Sequence, residues 1–391
     1  MKTLETDQKY IGRDSEPDEI EIAKQKGSYV YTTRGKKYID FVMGWCVGNF
    51  GWDNEDIKKK VQNFSGPDYV APHQLYKPWV DYARELESMA PRKLKKSFRS
   101  TGGTESVEIA LQAAMSFTER QKFISLEEAY HGDSIGARSI GSPEYGDWYK
   151  NPFSAYRIRP PLDGKSAERV AHRLQQRDIA ALIMEPVICN RGAMVPSQEF
   201  FDVIQDACKK SGTVLIIDEV ATGFGRTGKI FACEHFHLQP DILCLGKAIT
   251  GGFAPMGAVL MSEEVSQAMR YESSYYSTYG WHPRSVEAAL ATLSYYSENR
   301  NFLESNTQEM GHYLVDQISQ MDFKEEPRFS YLGLAIGVNF ESEDYGQHIV
   351  EKTKEEGLIL SEGEQGFTMF PALNIDLATV DEGLEVLRRC L

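Results

Sequence analysis

No stretch of the 391-residue sequence approaches eighteen consecutive apolar residues, so no segment is predicted to span a bilayer. The first 27 residues are too polar for a signal peptide and too acidic for a transit peptide. Positive charge is also scarce, because 43 lysines and arginines accompany 57 aspartates and glutamates, which gives a formal net charge of −14. Such a chain offers no general attraction to nucleic-acid phosphates or anionic lipids. We therefore expect a cytoplasmic protein that binds neither nucleic acid nor a membrane.

Cysteine is sparse, and its six occurrences show no paired spacing: Cys46, Cys189, Cys208, Cys233, Cys244 and Cys390. Three of them lie in apolar runs, which predicts reduced thiols in the core of a protein from a reducing compartment. The sequence Cys-Glu-His-Phe-His at 233–237 contains metal-ligating residue types. No second ligand pair follows it at the spacing of zinc sites, so no metal site is predicted.

The composition is that of a globular protein, with 41% hydrophobic and 26% charged residues. Its length suits two or three domains, or one large and one small domain. Between residues 95 and 265, short apolar runs alternate with amphipathic stretches such as 105–117. The runs, which are predicted to be strands, are 122–126, 180–187, 213–220, 241–246 and 256–261. This alternation predicts an α/β fold with a mostly parallel sheet covered by helices, and such folds bind ligands at the carboxyl ends of the strands.

The two ends of the chain show a different pattern. The beginning predicts a helix over 18–26, followed by a hairpin whose turn lies at 34–35. Towards the C-terminus, a long helix is predicted over 284–296. A capping box at 379–382 predicts the start of a short final helix.

These patterns predict two domains of unequal size. The alternation of strands and helices falls within a large domain over residues 61–289. Neither end of the chain shows that alternation. We therefore expect residues 1–60 and 290–391 to pack together as one smaller α+β domain.

Three polar features follow apolar segments in the predicted α/β region. The sequence Ser-Thr-Gly-Gly-Thr at 100–104 leads into a predicted helix, which is typical of a phosphate-binding loop but also of an ordinary glycine-rich helix entry. Asp218 ends a buried strand, where a carboxylate needs a partner: an arginine or lysine, a cationic ligand, or a metal. Lys247 follows another buried strand, where a desolvated amine is either a nucleophile for carbonyl groups or half of a structural ion pair. Together the three match the anchoring points of pyridoxal 5'-phosphate.

Five longer segments also carry a recognisable sequence signature: 27–30, 35–41, 181–187, 217–228 and 240–247. Together they closely resemble the signature of the class III aminotransferases of fold type I, which bind pyridoxal 5'-phosphate. The matches recur from about residue 27 to the C-terminal helix, so almost the whole chain takes part in the resemblance. It implies the fold type I architecture, with a large domain around a mostly parallel sheet and a smaller α+β domain.

The resemblance also implies a role for each matching residue. Lys247 matches the lysine that forms a Schiff base with the cofactor and moves the proton between the substrate and cofactor carbons. Asp218 matches the partner of the ring nitrogen, and Tyr130 the aromatic residue that stacks on the ring, although a core tyrosine is the alternative. The other residues placed at the cofactor are Gly102, Gly103, Thr104, His131, Glu185, Val220 and Thr278. In the family the residue that matches Thr278 reaches the phosphate of the neighbouring subunit, which implies an obligate homodimer.

Four positions depart from the family pattern. Gly102 stands where serine is usual, Ala221 where many members have glutamine, and Asn190 where some members have glutamate. Thr368 replaces the arginine that normally grips a substrate carboxylate, and threonine cannot form that bidentate pair. We therefore do not expect 2-oxoglutarate to be handled in the usual way. Three tryptophans near the cofactor motifs predict either an aromatic-lined pocket or a packed dimer core: Trp45, Trp52 and Trp281.

The predicted activity is a ping-pong transfer of an amino group from a donor amine or amino acid to a carbonyl acceptor, through the Lys247 Schiff base. An aminomutase, racemase or decarboxylase of the same family shares every anchoring residue, and the departures at Asn190 and Thr368 keep these alternatives open. A cofactor-binding protein without catalytic activity is a third reading. The intact Lys247 and Asp218 argue against it, because a scaffold needs no nucleophilic lysine.

Overall fold

The computed structural model describes residues 2–13, 15–18, 20–127, 129–141, 152–272 and 275–391. Its helical segments are α1 (Lys2–Tyr10), α2 (Met43–Cys46), α3 (Glu55–Gln62), α4 (Lys77–Met89), α5 (Gly103–Thr118), α6 (Ile135–Ile140), α7 (Gly164–Leu174), α8 (Gln198–Ser211), α9 (Glu263–Glu272), α10 (Pro283–Ser319), α11 (Glu343–Glu356) and α12 (Leu377–Arg389). Its strands are β1 (Ile22–Lys26), β2 (Tyr29–Thr32), β3 (Lys37–Asp40), β4 (Leu94–Ser100), β5 (Lys122–Leu126), β6 (Ser154–Ile158), β7 (Ile179–Met184), β8 (Val214–Asp218), β9 (Ile242–Leu245), β10 (Gly257–Ser262), β11 (Arg328–Leu332), β12 (Ala335–Asn339), β13 (Leu358–Ile359), β14 (Ser361–Gly363) and β15 (Gly366–Met369).

The central sheet has the strand order β4-β10-β9-β8-β7-β5-β6. Its strands are parallel from β9 to β6, whereas β10 runs antiparallel to both of its neighbours, β4 and β9. Strands β7, β8 and β9 are buried along their whole length, and this burial explains why their sequences are continuously apolar. Helix α5 packs against β9 and β10, and α8 packs against β8. The predicted α/β fold with a mostly parallel sheet is confirmed.

Two smaller sheets bring the ends of the chain together. One has the order β1-β2-β3-β13, in which β13 pairs in parallel with β3 across more than three hundred residues of sequence. The other has the order β11-β12-β15-β14 and is antiparallel throughout. Helix α10 runs without interruption through residue 290 and joins these sheets to the central one. The division into domains at residues 60 and 290 stays a prediction.

The helix predicted over 18–26 is wrong. This segment contains β1, which pairs antiparallel with β2, and the first helix is α1 instead. Good helix-forming residues fill the segment, but pairing with the neighbouring strand overrides their propensity. The hairpin predicted to turn at 34–35 is present as β2 and β3.

The C-terminal helices differ from their predicted bounds. Helix α10 continues to Ser319, far beyond the predicted end at 296. Helix α12 begins one turn before the predicted capping box, because the Asp376 side chain caps it by accepting a hydrogen bond from the Thr379 N–H at 2.7 Å. Leu384 and Leu387 of this helix are buried, as core positions should be.

The cysteines lie mostly in the core, as predicted. All of them are free thiols, and each is buried except Cys390, which is half-buried. At the start of the 233–237 segment, the N–H groups of Ala232 and Cys233 donate to the buried Glu219 carboxylate at 2.9 and 2.7 Å. Within the described ranges, no helix is both long enough and apolar enough to cross a membrane.

Candidate active site

A cavity of about 590 Å³ opens where the strands of the central sheet end, between that sheet and segments from both ends of the chain. Eight of the ten predicted site residues line it: Gly103, Thr104, Tyr130, His131, Glu185, Asp218, Val220 and Lys247. The fold collects them because they lie at or beyond the carboxyl ends of β4, β5, β7, β8 and β9. The other two do not line the cavity. Gly102 is the sequence neighbour of Gly103, which does line it, and Thr278 is exposed elsewhere on the surface.

Lys247 follows β9 and begins a short 3-10 turn that ends at Thr250. Its backbone has a φ of +45°, which is uncommon for a residue other than glycine. The side chain is half-buried and lines the same cavity as Asp218 and Glu185. Its ammonium group forms no ion pair with a carboxylate in the described part of the chain, so the structural ion pair considered above is not observed.

Asp218 is the last residue of β8 and is 3% exposed. One carboxylate oxygen, Oδ2, lies 2.7 Å from His131 Nδ1, and the other, Oδ1, accepts a hydrogen bond from the Val220 N–H at 3.0 Å. The partner of this buried carboxylate is therefore an imidazole rather than an arginine or lysine. His131 is itself buried, and its Nε2 has no hydrogen-bond partner among the described residues.

The predicted phosphate loop lies between β4 and α5. Gly102 is the N-cap of α5 and provides no capping side chain, so the N–H groups of the first turn keep their partial positive charge for an anion. The loop is closely packed against the rest of the site. A Cβ atom at Gly103 would lie 2.7 Å from Val220 Cγ1, and one at Gly132 would lie 2.4 Å from Thr104 Oγ1. Glycine at both positions thus lets the strand ends approach one another around the cavity.

Glu185 adds a second buried carboxyl group beside Asp218. It follows β7 and is 5% exposed. Burial, and then the negative charge of Asp218, raise the pKa of Glu185 well above its ordinary value, although the nearby Lys247 charge opposes this. Tyr130 lies at the more open edge of the cavity, where it is 38% exposed and its hydroxyl donates to Asp133 at 2.8 Å.

One wall of the cavity comes from α2, whose backbone is a left-handed turn rather than a true helix. Met43, Gly44, Trp45 and Cys46 have φ angles of +49°, +61°, +52° and +68°. The buried carboxylate of Asp40 stabilises this turn, because Oδ1 accepts from the N–H groups of Val42 and Met43 and Oδ2 accepts from Trp52 Nε1. The turn places Trp45 at the cavity, where its Nε1 donates to Ser361 Oγ at 2.9 Å.

Three of the four positions that depart from the family pattern also line the cavity, namely Asn190, Ala221 and Thr368. Trp45 lines it too, whereas Trp52 does not and Trp281 is buried with its Nε1 donating to the Gly257 carbonyl. Residues that sequence reasoning did not place in the site are Gly44, Cys46, Gly132, Cys189, Ser361, Glu362 and Phe370. Several of them directly adjoin residues that the sequence analysis had named, so adjacency in sequence was the feature that could have predicted them.

Thr278 lies on an exposed surface away from the cavity. Large apolar side chains are exposed close to it in sequence, with Tyr276 at 70% and Tyr279 at 63%. The Tyr279 ring contacts the Tyr69 ring, at 6.0 Å between centroids, so the segment that begins at Tyr69 passes close to residue 279 in the fold. Leu75 in that region is 97% exposed. Exposed apolar groups of this size mark a surface suited to another protein.

Comparison with known proteins agrees with this geometry. The family model of the class-III aminotransferases matches residues 10–391. The structure of a new transaminase from the marine bacterium Virgibacillus has a TM-score of 0.91 at 23% identity, over 100% of this chain and 98% of that chain. The structure of a thermostable (S)-enantioselective omega-transaminase from Thermomicrobium roseum has a TM-score of 0.90 at 25% identity, over 100% of this chain and 97% of that chain. The structure of an adenosylmethionine-8-amino-7-oxononanoate aminotransferase from Methanocaldococcus jannaschii has a TM-score of 0.88 at 26% identity, over 99% of this chain and 98% of that chain.

Proposed function

Because the chain belongs to the class III aminotransferase family and is a pyridoxal-phosphate-dependent aminotransferase, we propose that Lys247 is the lysine that bonds the cofactor aldehyde. The observation that carries this assignment is the meeting of three anchoring groups on one cavity: the Lys247 amine, the Asp218 carboxylate and the start of α5. Each alone has a structural explanation. Their convergence fits the three ends of one ligand, which carries an aldehyde, a basic ring nitrogen and a phosphate.

The residues present fit pyridoxal 5'-phosphate in chemistry as well as in position. The first turn of α5, at Gly103 and Thr104, has no side-chain cap and suits the phosphate dianion. Asp218 is buried beside an imidazole and suits a protonated pyridine nitrogen. Tyr130 and Val220 both line the space between these groups, and we assign them to the two faces of the ring.

When bound, the cofactor supplies an electron sink for the substrate carbon that loses a proton. The chain's own residues do the rest. Lys247 Nζ would take the proton from the substrate carbon and return it to the cofactor side. Asp218, held by His131 and the Val220 N–H, keeps the ring nitrogen protonated throughout. Phe370, which is 2% exposed, provides an apolar part of the cavity wall.

The substrates we propose are a donor amine or amino acid and a carbonyl acceptor. Thr368 lies on the cavity wall and is 3% exposed, so the usual arginine for a substrate carboxylate is replaced by a neutral hydroxyl. The nearby Arg191 is paired with Glu364 at 3.1 Å. A dicarboxylate such as 2-oxoglutarate therefore finds less electrostatic support here than in relatives that keep the arginine.

We also propose that the enzyme acts as a homodimer in which Thr278 completes the phosphate site of the partner subunit. Two features support this proposal. Thr278 is exposed and lies outside the cavity of its own chain. The surrounding surface exposes the apolar side chains of Leu75, Val80, Tyr276 and Tyr279, which a second copy would cover.

The assignment is tested by visible absorption of the purified protein with pyridoxal 5'-phosphate, followed by a panel of amine donors. We expect a yellow absorption band that a suitable donor converts to the band of the aminated cofactor, and that a carbonyl acceptor then restores. A band that no donor changes would favour an aminomutase or racemase outcome. Failure to form any band in the wild-type protein would overturn the role of Lys247.

A further inference from the structure

Two thiols meet on the wall of the active-site cavity. Cys46 is the last residue of the left-handed turn α2. Cys189 lies much later in the sequence, in the loop that follows β7. Both line the cavity, where they pack in one cluster with Ala221 and Phe370. The fold therefore brings the two thiols into one cluster although the residues lie far apart in sequence, and each influences the ionisation of the other.

A buried cation lies beside this pair. Arg226 is 0% exposed, and its guanidinium donates only to neutral acceptors: the carbonyls of Leu334 and Pro371 and the Asn49 side-chain oxygen. No carboxylate that the structure describes pairs with it, and its Nε has no partner among oxygen and nitrogen atoms. A buried guanidinium without an anion is costly. The Cys46 sulfur is the group beside it that can carry a negative charge.

The ionisation of Cys46 agrees with this environment. Burial opposes ionisation, but the hydrogen bond from Cys189 and the charges of Arg226 and Lys247 outweigh it and lower the pKa of Cys46 to about 6. The hydrogen bond to Cys46, together with burial, raises the pKa of the Cys189 thiol well above its ordinary value. Of the two sulfur atoms, Cys46 is therefore the one that ionises more readily. This is the arrangement of an attacking cysteine and a resolving cysteine.

We propose that Cys46 and Cys189 are a modification site, an active-site thiol pair that peroxides convert to a disulfide. In the first step the Cys46 thiolate attacks one peroxide oxygen, the O–O bond breaks, and the leaving hydroxide takes up a proton to give water. In the second step Cys189 attacks the sulfur of the resulting Cys46 sulfenic acid, the S–O bond breaks, and a second water leaves with the thiol proton. The two thiols are oxidised by two electrons in total, and hydrogen peroxide is reduced to two waters.

Cys46 and Cys189 differ from Cys208 and Cys244 in their access to the cavity and in the charges around them. Cys208 and Cys244 are buried in the core outside the cavity, and burial raises the pKa of each thiol. For each of these thiols the neighbouring charge is a carboxylate, Asp241 for Cys208 and Asp218 for Cys244, and it also opposes ionisation. Both Cys46 and Cys189 line the active-site cavity, so a peroxide that enters it has access to the pair.

The test uses the folded wild-type enzyme, treated with hydrogen peroxide, alkylated, and digested without reduction for peptide mass spectrometry. We expect a linked peptide pair containing Cys46 and Cys189, which disappears after reduction with dithiothreitol. In Cys189→Ser, dimedone should trap a sulfenic acid on Cys46. In Cys46→Ser, Cys189 should remain a reduced thiol, and the matched control Cys208→Ser should still form the link.

A second measurement does not depend on any variant. The rate of alkylation of Cys46 by iodoacetamide should rise with pH around a midpoint near pH 6, whereas Cys208 should react far more slowly at every pH tested. Two outcomes would overturn the proposal. One is a folded wild-type enzyme in which peroxide leaves Cys46 and Cys189 reduced; the other is equal alkylation rates at Cys46 and Cys208.

Discussion

His131 Nδ1 lies 2.7 Å from Asp218 Oδ2, and both side chains are buried at the carboxyl end of β8. The imidazole therefore fixes the carboxylate that we assign to the ring nitrogen. His131→Ala should leave that carboxylate without its side-chain partner and lower the free energy of unfolding by about 1–3 kcal/mol. Urea unfolding and titration with pyridoxal 5'-phosphate would measure both stability and cofactor affinity. His131→Asn, which can still donate a hydrogen bond, should recover part of both, and His312→Ala on the surface should change neither.

Asp218→Asn separates binding from the electronic role of the carboxylate. The amide fills the same space but cannot hold a proton on the ring nitrogen, so the protein should fold while the donor half-reaction slows at least about a hundredfold, as is common when a charge that acts in the transition state is removed. Single-turnover absorbance with a saturating donor would measure the rate. An unchanged rate would mean that another group protonates the ring.

Lys247→Ala should abolish turnover and leave the cofactor bound loosely or not at all, because the covalent bond to the chain and the proton carrier are both lost. The matched control is Lys96→Ala, which removes an exposed lysine far from the cavity and should keep both properties. Retained absorbance after gel filtration, together with turnover, would report on each enzyme. Substantial turnover by Lys247→Ala would contradict the assignment.

The raised pKa of Glu185 predicts a pH-dependent stability. The folded state holds the Glu185 proton more tightly than the unfolded state does, so this group stabilises the fold below its unfolded pKa and loses that contribution as pH rises. The melting temperature of the wild type relative to Glu185→Gln should therefore fall as pH increases from about 5 to about 8. The exposed Glu385→Gln is the control and should show no such trend. A constant difference between wild type and Glu185→Gln would show that Glu185 ionises normally.

Thr278 can be tested by complementation between subunits. In a mixed dimer of Lys247→Ala and Thr278→Ala chains, one site combines an intact Lys247 with an intact Thr278 from the other subunit, and the second site carries both changes. Refolding the two inactive or weak variants together should therefore restore about half of the wild-type activity per mixed dimer. Activity that never exceeds that of the Thr278→Ala enzyme would show that Thr278 serves its own chain or no site at all.

The sequence predicted those parts of the structure that depend on local pattern. Five strands of the central sheet, β5 and β7 to β10, were found because each lies in a short, mainly apolar run, whereas the more polar β4 and β6 were not predicted. Asp218 and Lys247 were found because they follow such runs at the strand ends. The start of α5 was found from its glycines. The other cavity residues, Tyr130, His131, Glu185 and Val220, were placed at the site by resemblance to the family rather than by a local pattern.

Long-range contacts account for what was not predicted. The left-handed turn α2 depends on the buried Asp40 carboxylate and on Trp52, and no local pattern indicates four successive residues with positive φ. Cys46 and Cys189 meet only because the fold brings the turn against the end of β7. The strand β1 forms through pairing with β2 in a segment whose residues favour helix. The domain boundaries, the homodimer and the cytoplasmic location stay predictions.

The parallel pairing of β3 with β13 also constrains when the enzyme can become active during its own synthesis. The cavity wall contains residues from Gly44 to Phe370, so a nascent chain that lacks its last fifth has no complete site. The central sheet, whose strands end at Ser262, can form earlier while the ribosome is still working. Closing a sheet across more than three hundred residues is an inherently late and slow step. Lys247 thus stays without its full enclosure until translation is nearly finished.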